Sequence, residues 1–140
     1  MSDELGFEVR LSQPYEQALE TVGAALKAEG FGILTRIDVR ATLKEKIGAE
    51  FRPYTILGAC NPPLAFRSLS ADGTVGLLLP CNVTVEAAVD EDEYGGSLVT
   101  IVNPEMMIKT SGLQDNPVLV EVAQQAGAKL KRVVQSLAQV

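Results

Sequence analysis

Hydrophobic and polar positions follow two different periods along this chain of 140 residues, and the period changes several times. A period of two is typical of a half-buried strand, whereas apolar residues spaced three and four apart are typical of an amphipathic helix. Phe7, Val9 and Leu11 alternate with polar neighbours and predict a first strand. An apolar stripe at helical spacing then begins after Pro14, and Gly30 is a suitable left-handed residue to end that helix.

Four further segments carry strand patterns. They are Phe31–Ile37, Tyr54–Cys60, Cys81–Val89 and Leu98–Val102, with an acidic, glycine-rich turn expected between the last two, over residues 90–96. The segment beginning at Cys81 has the most regular alternation. The last two strands therefore predict an antiparallel hairpin.

Helix starts are marked by side chains that cap free backbone N–H groups. Asp38 is placed to cap a short helix over Val39–Ile47. Three further starts have Asn followed by Pro, a pair that suits the N-cap and first helical positions. These starts are Asn61-Pro62, Asn103-Pro104 and Asn116-Pro117, and the last opens a long C-terminal helix.

The resulting order is β-α-β-α-β-α-β-β-α, which predicts one α+β domain over residues 1–140. A mostly antiparallel sheet should carry the two long helices on one face. Asn82, Thr84 and Glu86 lie on the opposite parity to the buried positions of their strand. We therefore expect the second sheet face to be polar or to form an interface.

Composition narrows the possible chemistry. The chain has no His and no Trp, which excludes mechanisms that use imidazole as base, shuttle or metal ligand. The formal net charge of −6 argues against a nucleic-acid partner. No apolar stretch approaches the roughly 20 residues of a membrane span, and the first residues do not resemble a secretion signal. We therefore expect a cytoplasmic protein that does not enter membranes.

Two thiols are the most reactive side chains that remain. Cys60 immediately precedes the Asn61 cap, where a helix N-terminus would favour the thiolate. Cys81 begins the fourth strand and has the parity of its buried positions. If the third and fourth strands are neighbours, Cys60 and Cys81 could form a disulfide or share a soft metal ion, to which Met106 and Met107 could add thioether ligands. Burial of both thiols as small apolar groups is the competing interpretation.

A basic cluster offers a second candidate site. Arg40 and Lys44 lie four residues apart on one face of the predicted helix, and together they could hold a carboxylate or a phosphate. The N-terminus at Asn61 could contribute to such an anion site. The alternative is an ordinary solvated helix face with local ion pairs.

Three blocks of the sequence resemble the family known as domain of unknown function 302. These blocks are Phe31–Lys44, Phe51–Pro62 and Leu77–Val83, in that order along the chain. The resemblance implies an α+β domain with a sheet of the TATA-binding-protein type, commonly a homodimer, with no assigned activity, substrate or cofactor. Because both cysteines lie in matching blocks, it also places Cys60 and Cys81 above Arg40 and Lys44 as site residues.

The sequence therefore leaves three hypotheses. The first is a dimeric, cytoplasmic, thiol-based redox or soft-metal binding module that uses Cys60, Cys81 and Asn61. The alternatives are a module that binds a small anion or metabolite through Arg40 and Lys44, and a purely structural dimerisation module. A role in binding or assembly is favoured over catalysis.

Overall fold

A computed structural model describes residues 4–90 and 93–140 of the chain. The strands are β1 (Gly6–Leu11), β2 (Gly32–Asp38), β3 (Tyr54–Cys60), β4 (Cys81–Asp90) and β5 (Glu93–Val102). The helices are α1 (Tyr15–Ala28), α2 (Val39–Ile47), α3 (Pro62–Ala71), α4 (Pro104–Ser111) and α5 (Pro117–Leu137), with a 3-10 helix over Gly73–Leu78 between α3 and β4.

The five strands form one sheet in the order β1-β5-β4-β3-β2, and every neighbouring pair is antiparallel. The register places Leu57, Val83 and Ile101 side by side across β3, β4 and β5. All three are buried. The α+β class and the antiparallel sheet predicted from the alternating pattern are confirmed.

One face of the sheet carries the main core. α1 and α5 pack against it and bury residues of both apolar stripes, including Val22, Leu26, Leu130 and Val133. On the opposite face Thr84 pairs with Thr100, and both side chains remain half-buried. The two long helices therefore cover a single face, as their stripes predict.

Two additional elements distinguish the structure from the predicted order. The Asn103-Pro104 start opens a separate helix, α4, because Gly112 takes a left-handed conformation (φ 84°) and ends it before Asn116 opens α5. The 3-10 helix occupies the segment before β4, for which no element is predicted. α4 packs against α5 and the 3-10 helix packs against α3, and both help to form the cavity described below.

The fourth and fifth strands extend further than their patterns indicate. The turn predicted over residues 90–96 is wrong in extent, because Ala88 pairs with Gly96 and Asp90 pairs with Glu93. The tip at residues 91–92 lies outside the described residues.

Candidate functional site

An apolar cavity of about 280 Å³ lies at one end of the sheet. Helices α3, α4 and α5 and the 3-10 helix surround it, and the adjoining ends of β3 and β4 close it. Most of its lining side chains are aliphatic. They include Leu64, Val75, Leu78, Leu79, Ile108, Leu119, Val122, Ala123 and Ala126.

The cavity opens beside β2 and α3. Leu34 and Leu69 belong to its lining and are 65% and 46% exposed, respectively. By contrast, Val75 and Leu119 are almost fully buried on the inner walls. An apolar path therefore leads from the protein surface to the interior.

Both cysteines lie in the lining of this cavity. Antiparallel pairing brings the C-terminal end of β3 beside the N-terminal end of β4, where Cys81 lies opposite Ala59, the residue before Cys60. The neighbouring strands that the thiol hypothesis requires are thus present. The two thiols are free and form no disulfide.

The surroundings of Cys81 keep its thiol protonated. Burial, and to a lesser extent the neighbouring Cys60, raises the pKa of the Cys81 thiol from its ordinary value of 9.0 to about 11. Cys81 is therefore a neutral thiol at physiological pH.

Asn61 caps α3 as predicted, and it also lines the cavity. Its side-chain Oδ1 accepts a hydrogen bond from the Leu64 backbone N–H at 3.4 Å, and its Nδ2 donates to the Glu29 carbonyl at 3.5 Å. The first two helical residues, Pro62 and Pro63, have no N–H to offer. The helix start therefore provides fewer anion-binding donors than an ordinary N-terminus, which weakens the expected activation of Cys60.

The basic candidates lie elsewhere. Arg40 and Lys44 are exposed on α2, and neither lines the cavity. The Lys44 Nζ contacts the Glu50 carboxylate at 3.1 Å, an exposed ion pair of the ordinary kind. The structure brings Asn61 to the cysteines and does not bring Arg40 or Lys44 to the same site.

Comparisons with known proteins agree with this architecture. The family model for a domain of unknown function, DUF302, matches residues 7–137. The chain belongs to the DUF302 family. A crystal structure of an uncharacterized conserved DUF302 protein from Bacillus stearothermophilus superposes with a TM-score of 0.79 at 31% identity, covering 94% of this chain and 97% of that one. No functionally curated protein matches the chain.

The described part of this DUF302 protein contains no group of three or more Cys, Asp or Glu residues arranged to hold a metal ion. Of the two methionines proposed as thioether ligands, Met107 lines the cavity and Met106 does not. Cys60, Cys81 and Met107 are the sulfur-containing side chains in its lining. Within residues 4–90 and 93–140, no helix has the length and apolar character needed to cross a bilayer.

The cavity itself is the feature of this DUF302 protein that sequence reasoning missed. A signal was present in Val75–Leu79, an apolar run for which no buried element is predicted. That run forms the end of the 3-10 helix and the segment after it, and it contributes Val75, Leu78 and Leu79 to the lining. An apolar segment outside the predicted strands and helices was the sign of a second apolar region.

Proposed function

We propose that this DUF302 protein is a binding module for a small apolar molecule, which occupies the cavity between α3, α4, α5 and the ends of β3 and β4. The observation that carries the proposal is a cavity of about 280 Å³ whose lining is almost entirely apolar and reaches the surface at Leu34 and Leu69. Concave, mostly apolar sites with a few polar groups are typical of small-molecule binding.

The cavity volume limits the ligand. An engineered apolar cavity of roughly 150 Å³ accommodates benzene. A volume of about 280 Å³ suits a molecule the size of a fused bicyclic aromatic or a short branched aliphatic chain. The thiols of Cys60 and Cys81 and the amide of Asn61 would contact one end of that molecule.

Titration with 2-naphthalenemethanol, followed by NMR chemical shifts of the protein, tests this proposal. Shift changes should concentrate at the cavity lining. Ala126→Leu places three extra carbon atoms inside the cavity and should weaken binding at least tenfold. Ala128→Leu adds the same atoms on the exposed side of α5 and should leave affinity unchanged.

Absence of binding by the unmodified protein would refute the proposal. Binding that is equally strong in Ala126→Leu would show that the molecule occupies another place. Thermal unfolding of both variants separates a filled cavity from a disrupted fold, because the control variant lies on the same helix.

A second candidate function uses the thiols directly, as a redox or soft-metal site. It is supported by the presence of Cys60, Cys81 and Met107 in one cavity, since thiolates and thioethers are the ligands that Cu(I) prefers. Binding Cu(I) through both cysteines would release two thiol protons and leave a complex of net charge −1. Such a charge is costly in an apolar cavity, and the raised pKa of Cys81 opposes the same step.

Competition with a chromophoric Cu(I) chelator distinguishes the two candidates. A thiol site requires Cu(I) binding that is lost in Cys60→Ser and in Cys81→Ser. A cavity that binds only apolar molecules should leave the metal with the chelator, while both serine variants still bind 2-naphthalenemethanol.

A further inference from the structure

We propose that the cavity selects neutral molecules and rejects anionic ones of the same shape. This inference rests on the proposed function and adds the class of ligand. It follows from the charge and hydrogen-bonding capacity of the walls.

The walls have no charge that could stabilise an anion. Among the described residues that line the cavity, none is Asp, Glu, Lys or Arg. Its polar groups are the two thiols, the Asn61 amide and the Ser68 hydroxyl, all neutral as thiol, amide and hydroxyl groups. Moving a carboxylate from water into such surroundings without a partner carries a large desolvation penalty.

The start of α3 would normally supply the missing stabilisation. A helix N-terminus attracts anions through free backbone N–H groups and the helix dipole. Here Pro62 and Pro63 remove two of those donors, and the Leu64 N–H is directed to Asn61 Oδ1. The helix that begins at the cavity wall is therefore poorly equipped to hold an anion.

Two guanidinium groups on the surrounding helices are paired with carboxylates outside the lining. Arg132 Nε lies 2.8 Å from a carboxylate oxygen of Glu29, whose carbonyl accepts from Asn61. On the outside of α3, Arg67 lies 3.2 Å from a carboxylate oxygen of Glu121. A carboxylate entering the cavity would have to compete with Glu29 or Glu121 for either guanidinium.

Protonation sets an upper limit to this selectivity. A ligand carboxylic acid with an ordinary pKa of about 4 can enter in its neutral form. At pH 7 about one molecule in a thousand is neutral, so this route lowers the affinity about a thousandfold. The anionic congener should therefore bind more weakly by a factor between ten and about a thousand. That factor should fall by up to tenfold for each unit by which the pH is lowered, down to the pKa of the ligand.

The experiment compares 2-naphthalenemethanol with 2-naphthoate, which share one ring system and differ in charge. Dissociation constants are measured at pH 7, 6 and 5. Titratable groups around the site include Cys60 and Cys81 in the wall and, outside it, the Glu29–Arg132 and Arg67–Glu121 pairs and Glu105 and Lys109 of α4. The alcohol does not titrate, so any change of its dissociation constant with pH comes from these protein groups. The same change is then used to correct the dissociation constants of naphthoate.

The outcomes separate this inference from the proposed function. The inference is supported if the alcohol binds more tightly at pH 7 and the ratio of the two dissociation constants (the affinity gap) becomes smaller towards pH 5. Equal binding of both molecules, or tighter binding of naphthoate, overturns the inference and leaves the proposed function standing. Failure of both molecules to bind overturns the proposed function.

A pair of variants tests the role of the prolines. Replacing Pro62 and Pro63 together by Ala restores two N–H donors. At pH 7 the affinity gap between the alcohol and naphthoate should become at least threefold smaller. Pro117→Ala restores an N–H at the start of α5, outside the cavity lining, and should leave the gap unchanged. A gap that persists in the double variant would contradict the role given to Pro62 and Pro63.

Discussion

Gly58 illustrates how one residue determines the packing at the cavity end of the sheet. A Cβ at this position would lie 2.2 Å from Thr35 Oγ1 and 2.7 Å from Pro80 Cγ, closer than van der Waals contact allows. Pro80 directly precedes Cys81, so any side chain at position 58 would push on the segment that positions this thiol. The need for glycine here comes from close approach of a neighbouring chain segment.

We expect Gly58→Ala to lower the free energy of unfolding by about 1–3 kcal/mol, as overpacking does in a close-packed interior. Gly32→Ala is the matched control on the neighbouring strand, because an added Cβ there meets nothing within 4 Å. Urea denaturation measures both. Equal stability of the two variants would contradict the packing argument.

Cys81 allows a prediction about reactivity. With a pKa raised from 9.0 to about 11 by burial, its thiolate fraction at pH 8 should be about a hundredfold smaller than that of an ordinary cysteine. Alkylation by iodoacetamide in a Cys60→Ser background, followed by mass spectrometry, should give a pH profile with its midpoint well above 9. A midpoint at or below 9 would contradict the assigned burial.

The same shift has a consequence for stability at alkaline pH. Between about pH 9 and 11 the folded chain keeps a proton on Cys81 that the unfolded chain releases, so the free energy of unfolding falls as the pH rises. Tyr15, whose pKa is raised chiefly by burial, acts in the same direction at higher pH. Denaturation at pH 8, 9, 10 and 11 should show a shallower decline in Cys81→Ala than in the unmodified protein.

At the scale of elements, the sequence predicts helix starts better than it predicts what surrounds them. Asp38 caps α2 through the Ala41 N–H at 3.0 Å, and α2 has the predicted bounds Val39–Ile47. These are local interactions, and local interactions can be inferred from neighbouring residues. The anion affinity expected at Asn61 depended on backbone N–H groups that Pro62 and Pro63 lack. The absence of these donors follows from the sequence itself.

Two caps of the same type separate local stability from ligand binding. Asn61→Ala and Asn116→Ala each remove an N-cap, and each should lower the free energy of unfolding by about 1 kcal/mol. Only Asn61 lines the cavity, so only its variant should alter the affinity for 2-naphthalenemethanol. An equal change of affinity in both variants would mean that helix stability, and not contact with the ligand, controls binding.

At the scale of the whole molecule, the cavity could not be derived from periodicity. Its walls come from β2, β3, α3, the 3-10 helix, β4, α4 and α5, which span residues 31–126 and meet only in the folded chain. Periodicity predicts which side of an element is buried. It does not predict whether the buried sides of several short elements fill the space between them.

The homodimer implied by the family resemblance stays a prediction, and the sheet suggests where to test it. β2 is the last strand of the order β1-β5-β4-β3-β2, and each of its residues is exposed. Ile33, Leu34 and Ile37 place apolar side chains along this edge. Unpaired strand edges readily add another strand, and two identical edges can pair about a two-fold axis in antiparallel orientation.

Light scattering at micromolar concentration should therefore give the mass of a dimer. Ile37→Lys should convert it to a monomer because it replaces one of the apolar side chains of this edge with a charged one. Phe66→Lys is the control: Phe66 is also a highly exposed apolar residue, but it lies on α3, away from the strand edge. A monomer in the unmodified protein would refute the dimer. A dimer that survives Ile37→Lys but dissociates in Phe66→Lys would place the interface on α3 and not on β2.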